Sequence, residues 1–459
     1  MEKNVSTSTS LFDIDGKPSF GKSFPIALQH FLAMLIGNTL PSIILVNALK
    51  DTEFAIDPAK GIYIIQAGMF IAAITTFLQL YPVLKVGAKL PVIMGVSFAY
   101  IPILLQIGKK YGFEAVYGAE LVGGVVAFVC GMLIGKLRKY FPPIVSGTVV
   151  LTIGLSLYPV AINYMAGGKG SPMYGSGLNW LVAIVTLLVV LWCNMFGKGY
   201  IKLAAILIGM IVGYVLSLII YFTVSPDFMS FKNVTDAGWF TYPHIMPFKL
   251  AFPVDALFTM SIMFIVNSIQ AVGDISSTTV GGMDREPTDL EIAGGIKANG
   301  VGSVIGAFIG ALPTASYSQN VGIVSLTKVV ARSVLALTAI MIVVAGFIPK
   351  FGGIMLSIPQ CVIGGATISV FAQITMNGIK LITSEPLSMR NSTIVGLGIA
   401  IGMGITSVPD ATANLDPMLK MVFTSSPVIL STLVVFLLNI VLPNKTLEQE
   451  RIEREKLDE

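Results

Sequence analysis

Charge is what this chain of 459 residues has least of: Asp, Glu, Lys and Arg together make up 12%, about half the share usual in a water-soluble domain. Too few charges remain to coat a soluble globule, and the 54% of hydrophobic residues exclude a disordered chain. Cysteine is nearly absent. Three residues, Cys130, Cys193 and Cys361, all lie in apolar runs and exclude a disulfide scaffold. The two histidines, His30 and His244, stand far apart with no Cys-x-x-Cys pair, which argues against zinc; no metal and no cofactor is expected. A net charge of +4, spread along the chain, leaves no nucleic-acid footprint. What the chain does have is apolar length. Its mean hydropathy is +0.82 and it holds 46 glycines, a composition that fits a polytopic membrane protein.

A spanning helix needs about 20 mostly apolar residues. Residues 1–24 are rich in Ser and Thr with no hydrophobic centre, so they read as an amino-terminal tail and not as a cleaved signal peptide. Candidate spans follow near 25–46, 62–82, 90–108, 118–136, 143–165, 179–197 and 202–222. A polar stretch, 223–250, separates them from a second set near 251–276, 292–311, 313–329, 331–349, 354–382, 391–406 and 426–443. Placing seven spans in each half puts the 29 basic residues 20 to 9 in favour of the amino-terminal side. The positive-inside rule then sets both termini in the cytoplasm. The remaining 444–459 is charged on every face and reads as a solvated tail.

Two spans break the pattern. Leu90-Pro91 opens one and Leu312-Pro313 the other, each the third span of its half. Proline donates no hydrogen bond and pushes its predecessor to extended backbone. The first half of each span is therefore expected to be extended and the second half helical. Matched interruptions in two halves point to a transporter's binding site.

Polar residues cluster at these breaks. The second carries Tyr317-Ser318-Gln319-Asn320, and a half-helix starting near Asn320 would aim its free N–H groups and positive dipole end inward. Gln319 at that tip offers both donors and an acceptor to a planar ligand with carbonyl and ring N–H groups. The first break carries Ser97-Phe98, where Phe98 supplies a face for a flat ring. Asp274 is read as the exceptional carboxylate inside a span, one turn from Gln270 and on the same helix face. His30 opens the first span and reads better as a helix-pinning hydrogen-bonder than as a ligand. No nucleophile–base pair stands in the spans, so an enzyme is not expected.

The run Gln319-Asn320-Val321-Gly322, followed by Thr327-Lys328, resembles the signature of the nucleobase–ascorbate transporter (nucleobase:cation symporter-2) family. The Leu28-Gln29-His30, Ser97-Phe98 and Val272-Gly273-Asp274 segments match it too, in order along nearly the whole chain. The resemblance implies an all-α polytopic fold of fourteen segments in two inverted seven-span repeats, 25–222 and 251–443. Short strands and half-helices would occupy segments 3 and 10. Spans 1–4 and 8–11 would form a core domain, and spans 5–7 and 12–14 a gate domain that dimerises. Phe98, Gln270, Tyr317, Ser318, Gln319 and Asn320 would bind substrate; Asp274, His30, Asn299 and Ser97 would line the site or couple transport.

Many members carry Glu where this chain has Gln270 and Asp where it has Asn299, which leaves Asp274 as the acid expected for coupling. The implied function is import of a purine nucleobase, xanthine or uric acid favoured by Gln319. Transport would be secondary active, by symport with protons or else sodium and with rocking alternating access, in the plasma (inner) membrane. A uracil or other nucleobase permease, and a facilitative or anion carrier of the related sulfate-transporter fold, stand as alternatives.

Overall fold

The computed structural model describes residues 9–137, 140, 142–416, 420 and 426–443; residues 1–8 and the charged tail 444–459 lie outside the described residues. The described residues are mostly helical. In order come α1 (Phe20–Leu49), α2 (Pro58–Leu80), β1 (Met94–Val96), α3 (Ile101–Leu137), α4 (Pro143–Met165), α5 (Gly177–Phe196), α6 (Tyr200–Leu203) and α7 (Ala205–Thr223). The second part holds α8 (Lys232–Asp236), α9 (Val254–Met283), α10 (Asp289–Ile309), β2 (Thr314–Ser316), α11 (Ser318–Thr327), α12 (Arg332–Gly346), α13 (Pro349–Ser357), α14 (Gln360–Ile382) and α15 (Met389–Ser407). The last described helix is α16 (Pro427–Val441).

Among the described residues nine helices are long and apolar enough to cross a bilayer. The pair α12 and α13, bent by 79°, would make a tenth as a broken span. This is an integral, multi-pass membrane protein. Several boundaries differ from the expected spans: α1 starts at Phe20 and α9 runs on to Met283, while residues 354–357 belong to α13, which Pro349 starts, and α14 begins only at Gln360. Proline fits the first helical position and cannot continue a preceding helix.

The chain divides into two compact units, Met1–Ile134 with Val160–Ser369, and Gly135–Pro159 with Val370–Glu459. In the larger unit α1 runs buried from Met34 to Leu45. Glycines let its helices touch backbone to backbone. A Cβ on Gly124 would stand 2.8 Å from the Gly300 carbonyl, joining α3 to α10, and one on Gly364 would stand 2.2 Å from the Met165 amide, joining α14 to the end of α4. Small residues drive such association where lipid gives no hydrophobic bias between helices. In the smaller unit the same device recurs, Gly378 meeting the Leu151 amide.

The two interrupted spans meet. β1 and β2 pair antiparallel, with Met94 opposite Ser316, Gly95 opposite Ala315 and Val96 opposite Thr314. Each strand runs into a half-helix. After β1 comes a 3-10 turn, Phe98–Tyr100, capped by the Ser97 hydroxyl, which accepts from the Ala99 amide, and then α3. After β2 comes α11, starting at Ser318, two residues before the expected Asn320, and closed by Lys328 in the left-handed region. α3 has its own break at Gly112 (φ 77°), which separates the half-helix of the third span from the fourth.

Candidate functional site

Two strands of three residues cannot satisfy their own backbone, and an unpaired amide in a dry interior costs several kcal/mol. Side chains from the surrounding helices complete the pairing. On the β1 side Thr76 Oγ1 accepts from the Met94 amide at 2.9 Å, and Asn38 Oδ1 accepts from the Val96 amide at 2.8 Å. The Tyr317 hydroxyl donates to the Val96 carbonyl at 2.7 Å, and the Tyr317 amide to the Ile93 carbonyl at 3.0 Å. On the β2 side the Thr314 amide donates to Ser303 Oγ at 3.2 Å, and Thr314 Oγ1 donates to Asn299 Oδ1 at 3.1 Å. Asn299 in turn donates to Asn267 Oδ1 at 2.8 Å. Asn38, Thr76 and Ser303 were not singled out by the sequence; polar residues in apolar spans were the available signal.

Asp274 lies on α9, nine residues before its end, and is 9% exposed. Its two oxygens accept from Ser316 Oγ at 2.5 Å and Ser318 Oγ at 2.8 Å. One carboxylate thus ties the end of β2 and the start of α11 to α9. The Gln270 partnership suggested by helix spacing is not the one made: Asp274 is occupied by serines from 42 and 44 residues away.

Ser97, Gln270, Ser316, Ser318 and Gln319 are all half-buried, so they border accessible space. Ser318 and Gln319 open α11, where N–H groups have no intrahelical acceptor and the dipole end is positive. The Asn320 and Val321 amides both donate to the Tyr317 carbonyl. Phe98 is 7% exposed and starts the turn after β1. The breaks therefore place an aromatic ring at one tip and hydroxyl and amide groups at the other.

His30, Asn320, Asn299 and Tyr317 hold the frame. Asn320 Nδ2 donates to His30 Nδ1 at 3.0 Å and to the His30 carbonyl at 3.1 Å, locking α11 to α1. With Nδ1 accepting, the ring proton sits on Nε2. Asn299 is 1% exposed and sits behind β2. The Tyr317 ring is wedged between two glycines: a Cβ on Gly37 would lie 2.9 Å from it and one on Gly95 2.6 Å.

Asp274 is not the only acid within a helix of this unit. Glu120 on α3 is 0% exposed, although the sequence reading assigned that exceptional position to Asp274 alone. A single acid near the start of an apolar window reads as a headgroup residue until packing shows its depth. Among the described residues no group of His, Cys, Asp and Glu is arranged to hold a metal ion.

Residues 21–411 match the permease family Xan_ur_permease. The xanthine permease of Bacillus subtilis is 31% identical, the match covering 95% of this chain and 97% of that protein. The uric acid permease PucK of the same organism is 33% identical over 85% of this chain and 89% of its own length. Among solved structures, the murine Slc26a9 anion transporter in its inward-facing state has a TM-score of 0.62 at 11% identity, covering 91% of this chain and 68% of that one. The transmembrane domain of the cyanobacterial bicarbonate transporter BicA scores 0.53 at 16% identity, covering 90% and 97%. These two share the fold. A match over most of the chain, together with paired strands and half-helices at its two interrupted spans, places the protein in the Xan_ur_permease family: it is a membrane permease and not an enzyme.

Proposed function

We propose that this permease imports a purine nucleobase of the xanthine or uric acid class by proton symport, binding it between the two half-helix tips. The observation that carries the reading is the composition of the second tip. Gln319 stands half-buried at the start of α11, beside hydroxyls that Asp274 holds in place. An amide donates and accepts, so it pairs with the C=O/N–H edge of an oxidised purine. Phe98 offers the ring face that such a flat ligand needs. The curated relatives named for xanthine and uric acid support the same class of cargo.

Concentrating a neutral base requires a coupled ion. Asp274 touches both serines at the second tip, so adding a proton turns one of its oxygens from acceptor to donor and frees a hydroxyl. Titration is thereby tied to order at the base site. In this reading the protein lies in the cytoplasmic membrane as a homodimer with both termini inside, and the core spans carry the site past the gate spans.

The test is competition. Radiolabelled xanthine uptake is measured against a panel of unlabelled xanthine, uric acid, hypoxanthine, uracil and sulfate. Competition confined to oxidised purines supports the assignment. Full competition by uracil, or by sulfate, overturns it.

A further inference from the structure

Glu120 has no place in the network described above. It lies eight residues after the break at Gly112, about 12 Å along the helix, among Val116, Ala119 and Ala127, all fully buried. Its side chain rests on the backbone of α10, where a Cβ added to Gly306 would stand 3.0 Å from Glu120 Oε1. Neither carboxyl oxygen has a hydrogen-bond partner.

The titratable groups that interact with it are two buried tyrosines, Tyr100 from the turn after β1 and Tyr117 from its own helix. The Tyr117 hydroxyl is committed to the Gly310 carbonyl at 2.9 Å; that of Tyr100 faces Asn299. Of the other titratable groups on the neighbouring helices, Asp289 and Glu291 stand in the first turn of α10, about four helical turns from Gly306, and the rest are engaged elsewhere. Tyr63 on α2 donates to the Ile309 carbonyl. Lys297 on α10 packs against Gly131, about three helical turns away along α3. On α9, Asp255 pairs with Lys110 and Asp274 with its serines.

A buried carboxylate kept for stability is paired, because removing a lone charge from water is far more costly than any packing it provides. Glu120 is unpaired, so folding does not explain it. An unpaired acid buried inside a span is by default a functional group, and proton relays are among the functions such acids serve.

Its position links it to both strands. Tyr100 closes the turn that Phe98 opens. α10, on which the carboxyl rests, also carries Asn299, the residue that holds Thr314 of β2. A charge at Glu120 would bear on both tips without touching the base.

We propose that Glu120 is a second, separate proton-binding site of the transporter, which the single coupling proton occupies in turn with Asp274, so that coupling needs both carboxyls. This rests on the proton-symport reading. An O–H bond forms on the carboxylate with a proton from water on one side of the membrane and breaks to water on the other; no electron moves.

The experiment uses the full chain in proteoliposomes with radiolabelled xanthine and a trapped pH dye. With one proton per base, a gradient of about one pH unit drives up to about tenfold accumulation. In Glu120→Gln the ratio is expected to fall to about one and xanthine-induced proton uptake to vanish. Exchange of internal for external xanthine should persist, and Glu120→Asp should regain part of the coupling. Wild-type accumulation and proton uptake in Glu120→Gln overturn the proposal while leaving proton symport intact. Absence of proton uptake in the wild type overturns symport and this site together.

A measurement on the unmodified sequence removes dependence on the variant's folding. With carbon-13-labelled glutamate, the infrared spectrum at neutral pH should show a protonated carboxyl stretch displaced by the label, since exposed glutamates are ionised there. No displaced band overturns the assignment.

Discussion

Gly95 shows how little slack the site has. A Cβ there would fall 2.6 Å from the Tyr317 ring and 2.7 Å from Asn38 Oδ1, and both neighbours are fixed by bonds to Val96. Gly95→Ala is therefore expected to destabilise the protein by about 1–3 kcal/mol, the usual penalty of overpacking, and to abolish uptake by prising β1 from β2. Thermal melting in detergent checks it; an unshifted midpoint would mean the ring can move. Phe98 is tested by a pair of substitutions. If it stacks on the base, Phe98→Ala weakens binding by about 2- to 10-fold, from a stacking contribution of about 0.5–1.5 kcal/mol, and Phe98→Tyr by less. Equal losses in a xanthine-binding assay would make Phe98 a packing residue. Asp274 was legible as an intramembrane acid because it stands in a run of polar residues. Its serine partners were not, because local helix spacing names Gln270 while the true contacts come from a strand and helix 42 and 44 residues away. Glu120 was missed for a related reason: one acid in an apolar window carries no periodic signal of its depth.

Among the elements, the interrupted spans were the most legible. Leu-Pro at both breaks announces extended backbone, and both breaks became strands followed by half-helices. What the pattern could not give was the bracing by Asn38 and Thr76, which depends on tertiary neighbours 58 and 18 residues distant. A second brace lies at the start of α12. The Val330 and Ala331 amides donate to the Leu11 carbonyl and the Arg332 amide to that of Ile14, so the amino-terminal segment satisfies groups that a helix start leaves free. Asp15 fastens it by an ion pair with Arg332. The Arg332 hydrogen bond holds the Asp15 carboxyl below its ordinary range, against a smaller opposing effect of burial. A depressed folded value means stability that is present above the unfolded pKa of about 3.9 and lost as pH falls through the folded one. Asp15→Asn should thus lower the melting temperature slightly at neutral pH, by no more than about 1 kcal/mol given that the side chain is 58% exposed. The difference from wild type should shrink below about pH 4. A difference that grows on acidification contradicts the pairing.

At the scale of the whole molecule, fold and cargo separate. The solved neighbours named for anion and bicarbonate transport share this architecture at 11% and 16% identity, and a fold hosts many cargoes. In the function proposed above, cargo choice rests on the chemistry at two tips of one frame: an aromatic ring after β1, and hydroxyls and an amide at the start of α11. The frame explains why a small site can be specific, since its hydroxyls are held by one carboxylate and its strands by buried amides. In the proposed function Gln319 is the residue that meets the edge of the base. The most direct measurement of the central claim is purine accumulation by Gln319→Ala beside the wild type, in proteoliposomes matched for protein content. Losing the amide leaves polar atoms of the base unpaired, at about 1–3 kcal/mol each, so xanthine affinity is expected to fall at least about tenfold with the melting temperature unchanged. Wild-type affinity for xanthine in Gln319→Ala would contradict the account.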